Sequence, residues 1–239
     1  MEKITKLMAA GLCGLALSAC GGGGSDNNIV PKGAVAACFT MPETMRFRVN
    51  YFQANGIVVP GAYYDRTAGP ATFNGQSVTQ SETVGHVIYP GFPEYFRDVE
   101  YWTVTDAGMT FLGHAIEQLV MTPENPNEYV WMTFLDYTAN PAPVIPLDIQ
   151  PGQSVDFASA LVVAENFDAP ASFTFVGQET LTLAGKAFSD VCHFRLQGTP
   201  PGLTSPVTTD LWYAPGYGEI QRRDTSTDDS VWRYDGDLS

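Results

Sequence analysis

The sequence has little charge, and most of what it has is negative. Only 16% of the 239 residues are charged, where about 25% is usual for a globular protein. Acidic residues outnumber basic residues 26 to 12, which gives a net charge of −14. Because binding to nucleic acid requires clustered Lys and Arg to neutralise phosphates, the composition argues against a nucleic-acid partner.

Long apolar runs are also missing, since no segment approaches the roughly 18 to 20 residues that a transmembrane helix needs. The N-terminus instead has a short apolar run over residues 7–17, preceded by Lys3 and Lys6. A basic start followed by a short apolar stretch is typical of a signal peptide. We therefore assign residues 1–19 to a signal peptide that is removed from the mature protein.

The signal ends in Leu17-Ser18-Ala19-Cys20, which resembles the lipobox of bacterial lipoproteins. In that family the cysteine sulfur carries a diacylglyceryl group, the signal is cut before the cysteine, and the new amine is usually acylated as well. The resemblance implies that Cys20 is the lipidated first residue of the mature protein. The alternative is ordinary secretory cleavage at an A-x-A-like site, with Cys20 unmodified.

Residues 20–35 form the lipidated cysteine and a Gly-rich tether, and chain of this composition behaves as a flexible coil. In enteric-type lipoproteins, aspartate directly after the cysteine retains the protein in the inner membrane. Gly21 stands at that position, so the resemblance implies the cell outer membrane, facing either the periplasm or the cell surface. Two or three acyl chains anchor a protein stably, so we expect contact with the membrane through lipid alone.

Cysteines are few, and two of the four are accounted for by the N-terminus. Cys13 leaves with the signal and Cys20 carries lipid, which leaves Cys38 and Cys192 in an oxidising compartment. We predict a disulfide between them, closing a loop of about 155 residues and contributing on the order of 5 kcal/mol. The alternative is two separate buried thiols. Catalytic redox chemistry is disfavoured because no C-x-x-C motif occurs.

Helical periodicity is nearly absent, and residues 158–166 are the one modest helix candidate. Apolar and polar residues alternate instead, as over 45–51, and this period of two indicates half-buried strands. The Pro-rich segment 141–146 predicts a stiff extended connector. Predicted strands lie at 45–51, 94–105, 109–119, 128–138, 153–164, 172–183, 190–197, 207–213, 217–223 and 230–235. We therefore predict an all-β fold for residues 36–239, a single antiparallel β domain built as an open curved sheet, a barrel or a sandwich.

Two segments of the last third, 177–188 and 211–220, resemble a loose group of uncharacterised β-rich bacterial lipoproteins and periplasmic proteins. The group has the patterns G-x-E-x-[VL]-x-[VL]-x-A-G-x-[FY] and W-[YF]-A-x-G-x-G-x-[VI], and the turn at Pro151-Gly152-Gln153-Ser154 resembles a Pro-Gly turn of the group. The resemblance covers about residues 140–235. It implies an open, curved antiparallel sheet and no established activity.

Patterns that carry catalysis or bind metal are missing. His86, His114 and His193 are isolated in the sequence, so a zinc site would require them to converge in the fold. No G-x-S-x-G nucleophile motif appears. Residues 224–235 resemble a calcium loop in oxygen spacing, but Asp229 replaces the required glycine and no glutamate closes the loop. We predict a non-enzyme without cofactor or metal, and a solvated hairpin tip at this loop.

The aromatic residues are the remaining signal for a ligand. Trp102, Trp131, Trp212 and Trp232 are candidates to line a concave sheet face that holds an apolar ligand. The alternative, which we favour, is a packed core, where aromatic side chains usually lie.

The sequence therefore predicts an outer-membrane-anchored lipoprotein that serves as a non-catalytic binding or accessory module of the cell envelope. It would work through an envelope protein or an apolar ligand. A structural or envelope-assembly factor is the alternative, and a hydrolase comes third.

Overall fold

The computed structural model describes residues 33, 35–52, 58–59, 63–86, 95–122, 125–161, 168–199, 204–224 and 231–234. The signal, Cys20, almost all of the tether and most of the calcium-like loop lie outside these residues. The predictions for those segments stay predictions.

The described residues form fourteen strands and one single-turn 3₁₀ helix, Ala36–Phe39. The first seven strands are β1 Thr44–Phe52, β2 Val58–Val59, β3 Tyr63–Phe73, β4 Gln76–His86, β5 Tyr95–Thr105, β6 Gly108–Thr122 and β7 Asn125–Thr138. The others are β8 Val144–Ile145, β9 Ser154–Leu161, β10 Asp168–Leu183, β11 Lys186–Gly198, β12 Val207–Ala214, β13 Gly218–Asp224 and β14 Val231–Tyr234.

The strands follow one antiparallel path in the order β7-β6-β5-β4-β3-β1-β14-β13-β12-β11-β10-β9, with β2 beside β1 and β8 beside β6. Residues 44–48 of β1 pair with β3, and residues 49–52 pair with β14. Because β1 divides its pairing in this way, it joins a first half, β3–β8, to a second half, β9–β14. The all-β, antiparallel prediction is confirmed.

The sheet curves so that its two halves face each other. Arg66 on β3 hydrogen-bonds with its Nη1 atom to backbone oxygens of Tyr217 and Glu219, at 3.2 and 3.5 Å. Two strands separate β3 from β13 in the sheet order, and neighbouring strands lie about 4.8 Å apart. Curvature brings these strands together, and the resulting inner face positions the groups considered below.

Strands β3 and β4 were missed by the sequence prediction. They form a hairpin in which Phe73 pairs with Gln76 around a two-residue turn. Asn74 and Gly75 occupy that turn with φ of 49° and 78°, and Asn-Gly is the strongest short-range signal for this turn type. The sequence pattern did not predict these strands, because β4 is mostly polar and β3 contains Pro70. Polar runs and proline are both uncommon in strands.

Two local expectations are also corrected. The helix candidate at 158–166 is wrong for residues 158–161, which belong to β9; residues 162–167 lie outside the described part. The Pro-rich connector contains a short strand, since Val144 and Ile145 pair with Thr110 and Met109 of β6. In both places, pairing with a neighbouring strand sets the backbone conformation, and the intrinsic preference of the local sequence does not.

A first buried core fills the inner face of the second half. Residues 35–39 and 144–149 run together, with the Val35 amide donating to the Leu147 carbonyl at 3.1 Å, and both segments pack against β10–β12. Its buried members are Val35, Ala36, Cys38, Phe39, Ile145, Leu147, Ile149, Phe173, Phe175, Cys192, Phe194 and Leu211. We call this set the disulfide core.

A second buried core connects the two halves of the sheet. It combines residues of β1 and β3 with residues of β10–β13: Met45, Phe47, Tyr64, Leu183, Phe188, Val191, Trp212, Ala214 and Ile220. Phe47 and Tyr64 are stacked with ring centroids 5.4 Å apart. Burial of these side chains holds the first half against the second through the hydrophobic effect.

Candidate functional site

The four tryptophans do not gather around one cavity. Trp102 on β5 and Trp212 on β12 are both 8% exposed, whereas Trp131 on β7 is 39% exposed. Trp232 belongs to β14, and its side chain lies outside the description. The Trp212 indole Nε1 donates to Glu179 Oε1 at 2.6 Å, which fixes the ring in a packed setting. The two buried tryptophans agree with the packed-core alternative.

Cys38 and Cys192 are joined by a disulfide, as the cysteine count predicts. Both residues are 0% exposed. The bond ties the 3₁₀ helix to β11 from inside the curved sheet. It therefore closes the inner face of the second half covalently over its apolar residues.

The inner face also carries a group of ionisable side chains from both halves of the sheet. Register explains part of it, because Glu100 lies opposite both Ser81 and His114 and directly opposed residues share a face. We call the group the polar cluster, and its members are Arg66, Asp98, Glu100, His114, Tyr213, Glu219 and Arg222. Sequence analysis identified none of them as a site, since they come from five strands.

Glu219 is the most connected member of the polar cluster. Its carboxylate accepts two hydrogen bonds from Arg222, at 2.9 and 3.1 Å, and one from the Tyr213 hydroxyl at 3.3 Å. Its side chain is only 8% exposed. A carboxylate with three donors in a buried position is firmly oriented, so Glu219 fixes the arrangement of its neighbours.

His114 is paired with Asp98, its Nε2 atom lying 2.7 Å from Oδ1. Burial by itself would lower the pKa of His114, but the hydrogen bond to Asp98 and the nearby charges of Asp98 and Glu100 raise it above 6.5. The isolated histidine of the sequence thus acquires carboxylate neighbours across two adjacent strands. The cationic imidazolium is the form that these neighbours favour.

Within the polar cluster, the surroundings of Glu100 disfavour its negative charge. Burial raises its pKa above the ordinary value of 4.5, the neighbouring Asp98 raises it further, and His114 opposes the change. Burial likewise raises the pKa of the Tyr213 phenol well above 10.0, aided by Glu219 and Glu100. Tyr213 therefore stays a neutral hydrogen-bond donor, and Glu100 binds a proton more readily than an exposed glutamate does.

A second group of charged side chains lies on the other face of β11 and β12. His193 Nε2 is 2.9 Å from Asp210 Oδ1, and its Nδ1 is 3.7 Å from Glu179 Oε1. Arg195 donates to both oxygens of Asp210, at 2.8 and 3.3 Å. Nε2 of His193 is thus within hydrogen-bond distance of a carboxylate, and Nδ1 lies near a second one. We call these residues the outer cluster.

The pKa of Asp210 is lowered from its ordinary value of 3.8. Burial acts in the opposite direction, but the hydrogen bonds from Arg195 and His193 outweigh it. The outer cluster is thus a set of satisfied ion pairs, which is the arrangement expected of a structural element.

Strand β7 stands at one end of the sheet and has exposed apolar side chains. Trp131 is 39% and Met132 is 45% exposed. The Arg97 guanidinium lies 4.9 Å from the Trp131 ring centroid and is ion-paired with Glu117. We call Asn125–Thr138 the β7 edge, because within the described residues this strand pairs with β6 alone.

The described residues contain no group of three or more His, Cys, Asp or Glu side chains placed to hold a metal ion. The described part of the chain also has no helix of sufficient length and apolarity to cross a membrane. The ionisable side chains of the polar cluster can bind a proton or hydrogen-bond a polar group.

Two solved structures resemble this chain loosely. One is a predicted exported protein with a YmcC-like fold from Bacteroides fragilis, 14% identical with a TM-score of 0.41, covering 84% of this chain and 98% of that chain. The other is a predicted lipoprotein from Parabacteroides distasonis, 12% identical with a TM-score of 0.40 and the same coverages of 84% and 98%. No protein-family model and no curated protein sequence matches the chain. With TM-scores below 0.5, function has to be inferred from the chain's own residues.

Proposed function

We propose that this chain is a non-catalytic accessory module of the bacterial cell envelope that works through a protein partner. We further propose that acyl chains on Cys20 hold it at the outer membrane. The observation that carries the proposal is the filled inner face of the second half, where residues 35–39 and 144–149 pack on β10–β12. An apolar ligand would have to displace these segments, and the disulfide holds one of them in place.

Electrostatics supports lipid as the means of attachment. The chain has a net charge of −14, and anionic bilayers repel a protein of that sign. Lipid on Cys20 followed by a flexible tether would overcome this repulsion while holding the folded part away from the bilayer. An envelope-assembly factor, the alternative role, would need the same anchor and the same partner surface.

The first experiment addresses the anchor and the interior together. Mass spectrometry of the protein purified from membranes should find an acylated Cys20 at the mature N-terminus and no stoichiometric apolar small molecule. The Cys20→Ser variant should leave the membrane fraction and retain the Cys38–Cys192 bond, because the folded part does not depend on lipid. A stoichiometric copurified lipid would instead make the protein a carrier.

The second experiment addresses the partner. Photo-crosslinking in intact cells, from probes placed at several exposed positions of the folded part, should give one discrete envelope-protein adduct. The adduct should require Cys20, since the soluble variant would lose its place at the membrane. Absence of any adduct from every surface tested would refute the proposed role.

A further inference from the structure

We infer that the β7 edge is a docking site for an extended segment of a partner protein, which adds as a further strand and carries Lys or Arg at its ends. The inference rests on the proposed function, because it names the surface and the chemistry of the proposed partner. It is carried by the position of β7 in the sheet, its exposed apolar residues and its charge.

The position of β7 leaves one side of its backbone unpaired within the described residues. An edge strand offers a row of free N–H and C=O groups, and an extended peptide can pair with them. Soluble proteins usually shield such an edge with Lys, Pro or a short strand. β7 is 14 residues long, has no Lys, and its single proline, Pro126, is the second residue. Its register with β6 shifts at two points, and between them residues 129–133 form a regular stretch that includes Trp131 and Met132.

The opposite edge of the sheet, β9, is shorter and does not expose large apolar side chains among its described residues. β9 has 8 residues, and its described exposed side chains are polar, Ser154 and Asp156. Its apolar residues Val155 and Phe157 are partly buried against the disulfide core. β7 instead exposes Trp131 and Met132 in its middle, which are the side chains that an apolar partner strand would cover.

The negative charge of β7 indicates that basic residues flank the apolar part of the partner segment. β7 contains Glu128 and Asp136 and no basic residue, and Asp136 is exposed. The neighbouring cation Arg97 is already paired with Glu117. A partner strand with Lys or Arg near each end would place opposite charges beside these two acids, which stabilises cross-strand pairs.

A second copy of this chain fits the same edge poorly. Antiparallel pairing of two β7 strands would bring two acidic strands together, because β7 contains Glu128 and Asp136 and no basic residue. Like charges in opposed positions are destabilising, and each copy also has a net charge of −14. The edge therefore favours a basic partner over self-association.

The test uses the full mature protein in mild detergent and two nine-residue probe peptides, which are long enough to reach from Glu128 to Asp136. Both peptides alternate Val and Thr, and one has Lys at each end where the other has Glu. By fluorescence anisotropy the Lys-ended peptide should bind about tenfold more tightly, because two favourable pairs replace two unfavourable ones. Hydrogen exchange measured by mass spectrometry should slow within residues 125–138 and nowhere else.

Matched variants locate the site. Asp136→Lys should reduce the preference for the Lys-ended peptide, and Met132→Lys should weaken binding of both peptides. Val176→Lys is the control, since Val176 is 39% exposed but lies on β10 between two paired strands; it should leave binding unchanged. Thermal unfolding of each variant shows whether the fold is retained.

Several results would overturn the inference. These are no binding at millimolar peptide, equal binding of the two peptides, protection outside 125–138, and a dimer that forms through β7. A crosslinked partner that maps to another surface would refute the docking site and leave the proposed function intact. Peptide binding at β7 without any crosslinked envelope partner would refute the proposed function and leave the edge as a peptide-binding site.

Discussion

The disulfide core and the polar cluster occupy the same inner face of one curved sheet, yet they differ in almost every physical respect. The disulfide core is apolar, is fixed by a covalent bond and brings together segments far apart in sequence. The polar cluster is built from ionisable side chains, and Asp98 and Arg222 keep 36% and 32% of their side chains exposed. We therefore expect the stability contributed by the polar cluster to depend on pH, and that contributed by the disulfide core not to.

The two halves of the curved sheet are stabilised by different interactions. The hydrophobic effect and a disulfide act together on the second half, where the apolar segments cover β10–β12. The first half faces the second across the second buried core and across the charged groups of the polar cluster. The contribution of those charged groups depends on which protons are bound. We therefore expect stability to be distributed unevenly over the molecule.

Removing the disulfide should have the largest effect. In the Cys38→Ala, Cys192→Ala variant the free energy of unfolding should fall by about 5 kcal/mol, since the bond closes a loop of 154 residues in sequence separation. Chemical denaturation measures the loss, and hydrogen exchange should show the first opening at residues 35–39 and 144–149. A loss below about 1 kcal/mol would mean that apolar packing alone holds this region.

Breaking the Glu219 pair should have the next largest effect. Glu219→Gln leaves Arg222 and Tyr213 without their carboxylate, and hydrogen bonds to buried charged groups contribute about 1.5 to 3 kcal/mol. The control is Asp65→Asn, which weakens a similar two-bond pair with Arg46 whose side chains are 40% and 60% exposed. Exposed pairs contribute about 0 to 1 kcal/mol, so equal losses in the two variants would contradict the burial argument.

The pH dependence of stability should separate the polar cluster from the outer cluster. The pKa of Glu100 is raised above 4.5 and that of His114 above 6.5, so their contributions are complete below those values and are lost as pH rises through the folded-state pKa values. The lowered pKa of Asp210 acts in the opposite way, contributing above 3.8 and failing in more acidic solution.

Two substitutions test these signs, and their effects should be smaller than those above. Glu100→Gln should stabilise the protein at pH 8, because it removes a carboxylate that is costly to ionise, and should flatten the decline that begins above pH 4.5. Asp210→Asn should destabilise it at the same pH. Denaturation midpoints between pH 3 and 9 provide the measurement, and destabilisation by Glu100→Gln at pH 8 would contradict the assignment.

Much of the fold was predictable because it depends on local alternation and turn chemistry. At the Ala184-Gly185 turn between β10 and β11, both residues have the positive φ, 49° and 80°, that such a turn requires. The β3–β4 hairpin was not predicted, although Asn74-Gly75 signals it, because its strands lack the apolar alternation of the others. Apolar and polar residues alternate in a strand that buries one face. A mostly polar strand shows little of this alternation, even when it is paired on both sides.

The sites were less predictable, for a different reason. Cys38 and Cys192 could be paired by elimination, since only two cysteines remain in the folded part. The polar cluster could not be found in this way, because Arg66, Glu100 and Glu219 are more than 30 residues apart in the sequence and each looks like an ordinary strand residue. Its signal is spatial, and strand register together with sheet curvature creates it.

The resemblance to a lipoprotein signal, the antiparallel β class and the pairing of Cys38 with Cys192 were predictable from the sequence. They follow from a motif, from a period of two and from a count of cysteines, each of which is local or combinatorial. The dispersal of the tryptophans, the face shared by His114 and Glu100, and the position of β7 at the end of the sheet were not predictable in this way. These depend on which strands are neighbours, and strand order is set by the packing of the whole chain.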